Sequence, residues 1–551
     1  MKKKRRLIPL FALCLICACR SFEPTLEPLQ PTETTISLSL ISPTATPFLP
    51  QIIEGSATQL NLIHKPDFLK DLTIEWIDES LINEQEKSGA YNCEYNLEGN
   101  GVEVGNFVYA LIAPFNSLKS SISIEELNKI FKTGLDLRDQ TVKIYLSKSA
   151  YDQFQGKWGD LSSGGSITPE DAIIEIVSHE SLALGIVRFD QLMPSVKVLS
   201  VEGTSPLDKD FQENEYILNI KAFLSCNSEE VSEIFFNNIK KKFTTRDSEK
   251  LTSVLLTGTT ALTRATANRM EISGFTYPGE KIKQYFDNAD LRHISSETSF
   301  FANCPPPNPY QTDLSFCSRP EYLDLFTYLN INVIELTGNH LMDKGYEPFI
   351  NTLGLFNDLD IPYYAGGYSL EQAQQPLLFE HNGNKLAFLG CNLAGPPAVW
   401  ANSTRGGVNA CDFSKMTEEI ESLSVSGYLP IVTFQYFESI SMRPSNQQIR
   451  DFRTMVDAGA VIVSGSQSHV PMAFEFYQNS FIHYGLGNLF FDQMDSLNNR
   501  QEFLDRHIFY DGKYISTELI TTMLEYYAQP RPMSPEERED LLNNAFIFFN
   551  N

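Results

Sequence analysis

The stretch Val333-Ile-Glu-Leu-Thr-Gly338-Asn339-His340-Leu-Met-Asp343-Lys-Gly345 decides how the chain reads. A short apolar run gives way to a glycine and then to polar side chains, the pattern of a buried strand that ends at a polar turn. Four other places repeat the step from strand to polar cluster, the first and last with the glycine: Val254-Leu-Leu-Thr-Gly258-Thr259, Ala289-Asp290-Leu291 through Ser296-Glu297, Ile431-Val-Thr-Phe-Gln435, and Val461-Ile-Val-Ser-Gly465-Ser-Gln467-Ser-His469. Helical stretches separate them, so the spacing predicts an α/β domain over residues 251–528. In such sheets the polar residues at strand ends gather at one edge, where sites form.

Upstream, residues 51–235 predict a second α/β domain. Leu72–Ile77, Phe107–Ala113, Thr141–Leu146 and Val196–Val201 read as strands. Ser123-Ile-Glu-Glu126 reads as a capping box. Thr168-Pro169-Glu170-Asp171 predicts a helix capped by the threonine, with proline in its first turn. A charged connection, Lys240 to Lys250, lies between the two domains. At residues 529–551, Ser534-Pro535-Glu536-Glu537 starts a last helix whose apolar end, Ala545–Phe549, is expected to pack back.

The N-terminus reads as an address. Lys2–Arg6 precede the apolar run Leu7–Ile16, which is too short to span about 30 Å of hydrocarbon comfortably. Ile16-Cys17-Ala18-Cys19 resembles a bacterial lipobox, so residues 1–18 are expected to be a lipoprotein signal and Cys19 the lipidated residue; an uncleaved anchor helix is the other reading. Prolines recur among serines and threonines through residues 19–50, which predicts an extended tether. Six cysteines remain: Cys93, Cys226, Cys304, Cys317, Cys391 and Cys411. An even count in an exported chain is compatible with disulfides, and pairing nearest in sequence is expected.

The chain has 551 residues and 43 basic against 69 acidic ones, a formal charge of −26; without the five basic residues of the leader it is −31. Such a chain repels phosphate backbones, so no nucleic-acid partner is expected. No Gly-x-Ser-x-Gly elbow or Walker sequence is present, so serine hydrolase and NTPase chemistry lack support.

Two resemblances follow from these motifs. Ala113-Pro114-Phe115, the helix ending Ile130-Phe-Lys-Thr-Gly134, and Leu184-Gly-Ile-Val187 weakly resemble type II periplasmic solute-binding proteins. Gly338-Asn339-His340…Asp343-Lys-Gly345, Ile361-Pro-Tyr-Tyr-Ala-Gly-Gly367 and Tyr484-Gly-Leu-Gly487-Asn488-Leu-Phe-Phe-Asp492 resemble the CapA family of capsule and poly-γ-glutamate synthesis, within the calcineurin-like metallophosphatase superfamily. The resemblance implies a four-layer αββα fold. It also implies a dinuclear metal site, but this chain departs from it: Thr259 stands where the family has aspartate, and Gln435 and Gln467 stand where it has histidines. Glu297, Asn339, His340 and His469 remain.

Two functions are therefore expected side by side. In one, an exported, membrane-anchored enzyme hydrolyses or transfers an ester or amide bond in an anionic surface polymer, with Glu297, Asn339 and His469 holding one divalent metal ion and His340 acting as general acid. In the other, a non-catalytic relative binds envelope polymer or an envelope protein in the same place. His293, His483 and His507 sit singly among apolar residues and read as core or surface histidines. Asn339-His340 with Asp343 could equally cap a helix, and Glu297 could satisfy a buried backbone N–H or pair with Arg292.

Overall fold

A computed structural model describes residues 60–64, 82–83, 91–97, 99–229 and 242–549. The expected signal at 1–18, the tether at 19–50, Cys19 and the Leu72–Ile77 strand lie outside them.

Alternation along the strands of the second domain produces its layers. In Leu251–Leu256, Val254 and Leu256 face one core while Leu255 faces another. Val333 and Ile334 divide the same way. In the second sheet, Leu386, Phe388 and Ile431 join the core reached by Val254, whereas Ala387, Leu389, Val432 and Phe434 face a third. The two sheets therefore pack face to face, and helices cover each outer side. Arg264–Ser273 and Tyr346–Asp358 lie on the first, through Met270, Phe349, Leu353 and Phe356. Phe413–Val425 and Asn446–Asp457 lie on the second, through Ile420, Phe452 and Met455. This is the four-layer αββα order. A period-two strand with both faces apolar can be satisfied only by burial on both sides.

The first sheet runs Tyr363–Tyr364, Val333–Glu335, Leu291–Ser296 and Leu251–Leu256 in parallel, then turns antiparallel through Gln501–Tyr510, Lys513–Glu525 and Gln529–Pro532. The second places Asn384–Asn392, Leu429–Gln435, Ile462–Ser466 and Ser480–His483 parallel, with an antiparallel strand at each edge. Helix Pro535–Ala545 begins at Ser534 in a full capping box with Glu537. Its apolar end does pack back: the Phe546 ring lies 5.3 Å from that of Phe474.

The first domain is built on the long strand Val102–Pro114, flanked by Asn219–Cys226 and Ala183–Arg188 among others. Its core continues onto Leu251, Ile508, Tyr510 and Ile515 of the second domain. Phe115 enters the inter-sheet core of that domain, 4.8 Å from the Phe476 ring.

Local signals were partly rewritten by packing. Ser123 caps helix Ile124–Thr133 by accepting from the Glu126 amide at 3.1 Å, but the Glu126 carboxylate goes to Lys119 at 2.5 Å instead of closing the box. Helix Glu170–His179 has Pro169 at its cap and no side-chain cap bond; Thr168 donates to Ser166 at 3.3 Å. The three disulfides are Cys93–Cys226, Cys304–Cys317 and Cys391–Cys411, the pairing nearest in sequence. Among the described residues no helix is long and apolar enough to cross a membrane.

Candidate functional site

The carboxyl ends of parallel strands from both sheets converge. Glu297 follows Leu291–Ser296, Asn339 and His340 follow Val333–Glu335, Gln435 ends Leu429–Gln435, and Gln467 and His469 follow Ile462–Ser466. Thr259 lies in a two-residue strand paired with both Ser295 and Asn488. Gly338 makes the convergence possible: a Cβ there would sit 2.5 Å from the Ser296 carbonyl oxygen. Any side chain would push Asn339 away from Glu297.

At the centre is the carboxamide of Gln435, fully buried. Its Nε2 lies 2.9 and 3.1 Å from the two Glu297 oxygens, 3.1 Å from Asn339 Oδ1 and 2.6 Å from Gln467 Oε1. The orientation of that amide follows from its neighbours. Trp400 Nε1, which can only donate, lies 3.0 Å from Asn392 Oδ1, and the Gly395 amide donates to the same oxygen at 2.7 Å. Asn392 Nδ2 is thereby turned to donate to Gln435 Oε1 and to the Thr337 carbonyl, both at 2.7 Å. With its oxygen committed, Gln435 must point its NH2 at four acceptors, two more than it has hydrogens.

His340 stands at the edge. Its Nδ1 bonds Asp343 at 2.7 Å, and its ring lies 4.5 Å from that of Phe316. Asp343 also accepts from the Phe316 amide at 2.8 Å. His469 Nδ1 bonds Asn488 Oδ1 at 2.8 Å. Arg264 lies between the rings of Phe316 (4.9 Å) and Phe491 (5.1 Å) and is paired with Asp492. Arg264, Gln467 and His469 all have φ in the left-handed region, at 46°, 73° and 55°. Such conformations cost about 1–3 kcal/mol each and persist where surrounding structure enforces them.

Burial pushes the Glu297 carboxyl up to about 7, against the pull of His340 and the Gln435 bond. For His340 burial works downward, but the Asp343 bond and the Glu297 charge outweigh it and raise the imidazole above its ordinary value. Burial lowers His469, which stays neutral more readily.

The donors do not fit a pair of transition-metal ions. The residues on the Gln435 amide offer one carboxylate and two amide oxygens, weak ligands for such ions. The amide nitrogen already lies among them, and among the described residues no group of three His, Cys, Asp or Glu side chains could hold a metal. Of the expected ligands, Glu297 and Asn339 share the Gln435 amide, while His469 bonds Asn488. Glu297 meets Gln435 rather than Arg292.

Sequence reasoning missed Asn392 and Arg264. Asn392 ends a strand in the same pattern as Gln435 and could have been found by it; Arg264 follows Thr259 by five residues and its backbone conformation leaves no trace in sequence. His293, His483 and His507 are core residues. His483 bonds Asp505 at 2.6 Å and the Met472 carbonyl at 3.2 Å, and His293 lies 3.2 Å from Glu335.

Residues 253–493 match the family described as bacterial capsule synthesis protein PGA_cap. The chain is similar to the capsule biosynthesis protein CapA of Bacillus anthracis, 24% identical over 45% of this chain and 61% of that one. It is also similar to the PGA biosynthesis protein CapA of Bacillus subtilis, 30% identical over 32% of this chain and 47% of that one. The alignments thus span about half to three-fifths of those relatives. Among solved structures, the NAD nucleotidase of Haemophilus influenzae aligns with a TM-score of 0.31 at 11% identity, over 53% of this chain and 56% of that one.

Proposed function

Through residues 253–493 this chain belongs to the bacterial capsule synthesis protein family, and from that membership we propose that it takes part in making or handling an anionic capsular polymer of the poly-γ-glutamate kind. It does so by holding the polymer at the strand-end site, not by cutting it with two metal ions. The observation that carries this is the Gln435 amide among the oxygens of Glu297, Asn339 and Gln467.

A chain of net charge −26 repels a polyanion, so the contact must rest on local cations. A cavity of about 160 Å³ at the Cys304–Cys317 loop has such groups in its wall: Arg264, Arg319 and Lys344, against one acid, Asp313. Arg264 and Arg319 are paired with Asp492 and Glu271. Lys344 donates to Ser315 at 2.8 Å and has no carboxylate partner among the described residues. Export by the leader, a lipid anchor on Cys19 and a place on the outer face of the cell membrane complete the proposal, with the polymer or an envelope protein as partner.

A second reading has its own observation, the His340–Asp343 pair close to a Glu297 carboxyl poised near neutrality. There His340 gives its proton to a leaving group without metal. Incubation with poly-γ-glutamate of defined length separates the two. Binding with unchanged length supports a holding role. Shortening that survives chelator and is lost in His340→Ala supports the second reading, and shortening abolished by chelator overturns both.

A further inference from the structure

Away from the strand-end site, strands of the two domains meet at a junction. A cavity of about 390 Å³ opens there, lined by strand Val196–Val201, strand Lys513–Glu525 and helix Pro535–Ala545. That volume lies in the range of small-ligand sites. Lys197 lines it and is only 8% exposed. Its ammonium donates to the Ser117 carbonyl and lies 5.8 Å from the Phe546 ring centre. Arg538 enters from the helix and donates to the Leu118 carbonyl at 2.9 Å. Among the described residues neither cation has a carboxylate partner. The acids that do line the cavity, Asp208 and Glu518, are both held by a third cation, Arg506.

Two basic side chains lining one cavity, neither with a carboxylate of its own, are an unfavourable arrangement, because a buried ammonium costs several kcal/mol unless it is paired or gives up its proton. We propose that this junction cavity binds a small organic or inorganic anion, carboxylate or phosphate, between Lys197 and Arg538, with the hydroxyls of Ser120 and Ser200 beside it. Arginine meets either oxyanion with two parallel bonds, and lysine adds a point charge. The site is separate from the strand-end residues and does not depend on what they do.

Burial and the Arg538 charge lower the Lys197 ammonium to about 7, so near pH 8 the side chain is mostly neutral. Arg538 is the charged group that acts on it, Arg506, Asp208 and Glu518 being bound to one another elsewhere in the lining, and an added anion tips that balance toward the charged form. Anion binding at pH 8 is therefore accompanied by proton uptake.

The test is calorimetric titration of the full chain with inorganic phosphate and, separately, with L-glutamate, in two buffers of different protonation enthalpy at pH 8. Saturable binding of at least one, with uptake close to one proton, is expected, and Lys197→Met and Arg538→Gln should each weaken it at least tenfold. Phosphate alone binding identifies a phosphate site, and glutamate alone a carboxylate site. No saturation by either up to about 10 mM overturns the proposal. So does binding that both substitutions leave unchanged, or binding without proton uptake. If Lys197→Met does not fold, Arg538→Gln on the half-buried helix carries the same comparison.

Discussion

Replacing Gln435 by alanine tests the strand-end network at its centre. The amide that faces four oxygens disappears, and so does the acceptor for Asn392 Nδ2. Above neutral pH Glu297 then loses the donor to its charged form and can escape only by taking up a proton, a loss of about 2–3 kcal/mol. At pH 5 Glu297 carries its own proton, since burial holds its carboxyl near 7. It can then donate to Asn339 or Gln467, and the loss falls to about 1–2 kcal/mol, that of neutral groups left short of partners. Denaturant unfolding of both proteins at pH 5 and pH 8 measures the difference. A loss under about 1 kcal/mol at pH 8, or equal losses at the two pH values, refutes the reasoning.

Three further outcomes are expected. Because the Glu297 carboxyl is raised from 4.5 to about 7 in the folded state, it contributes stability that is fully present below pH 4.5 and lost as pH rises through 7, roughly 3 kcal/mol in all; Glu297→Gln should flatten that slope in unfolding measured from pH 4 to 9. Opening Cys304–Cys317, which closes a short loop of separation 13, should cost on the order of 3 kcal/mol by loop entropy, seen as a lower denaturant midpoint in Cys304→Ser/Cys317→Ser. Cys19→Ser should abolish lipid labelling and release the chain from membranes; label that persists on the variant points to Cys17 or an uncleaved anchor.

Much of the fold was legible because strand alternation and strand-end polarity are local. Val254-Leu255-Leu256 and Ile431–Gln435 announce two-faced burial and a polar terminus within a few residues, and the structure uses both. The substitutions at Thr259, Gln435 and Gln467 were equally visible, since side-chain chemistry is written directly in sequence. What those glutamines do instead was not. The direction of the Gln435 amide depends on Trp400 and Gly395 acting through Asn392, and only the fold brings that local cluster to Gln435, 43 residues further along the chain. The Glu126 and Thr168 caps failed for a related reason: Lys119 and Ser166 offered partners that a four-residue motif cannot see. The meeting of Lys197 and Arg538 likewise joins residues far apart in sequence, across a domain junction.

The most direct test of the account is metal content. Wild-type chain and the variant Thr259→Asp/Gln435→His/Gln467→His are purified in parallel, exposed to manganese, iron and zinc, and analysed for bound metal per chain and for phosphodiester cleavage. The account predicts that the wild type holds far less than one ion per chain and is inactive, because an amide nitrogen occupies the centre of its oxygens, while the variant gains stoichiometric metal from its restored carboxylate and imidazoles. Wild-type protein that carries a full equivalent of transition metal and turns over substrate contradicts it.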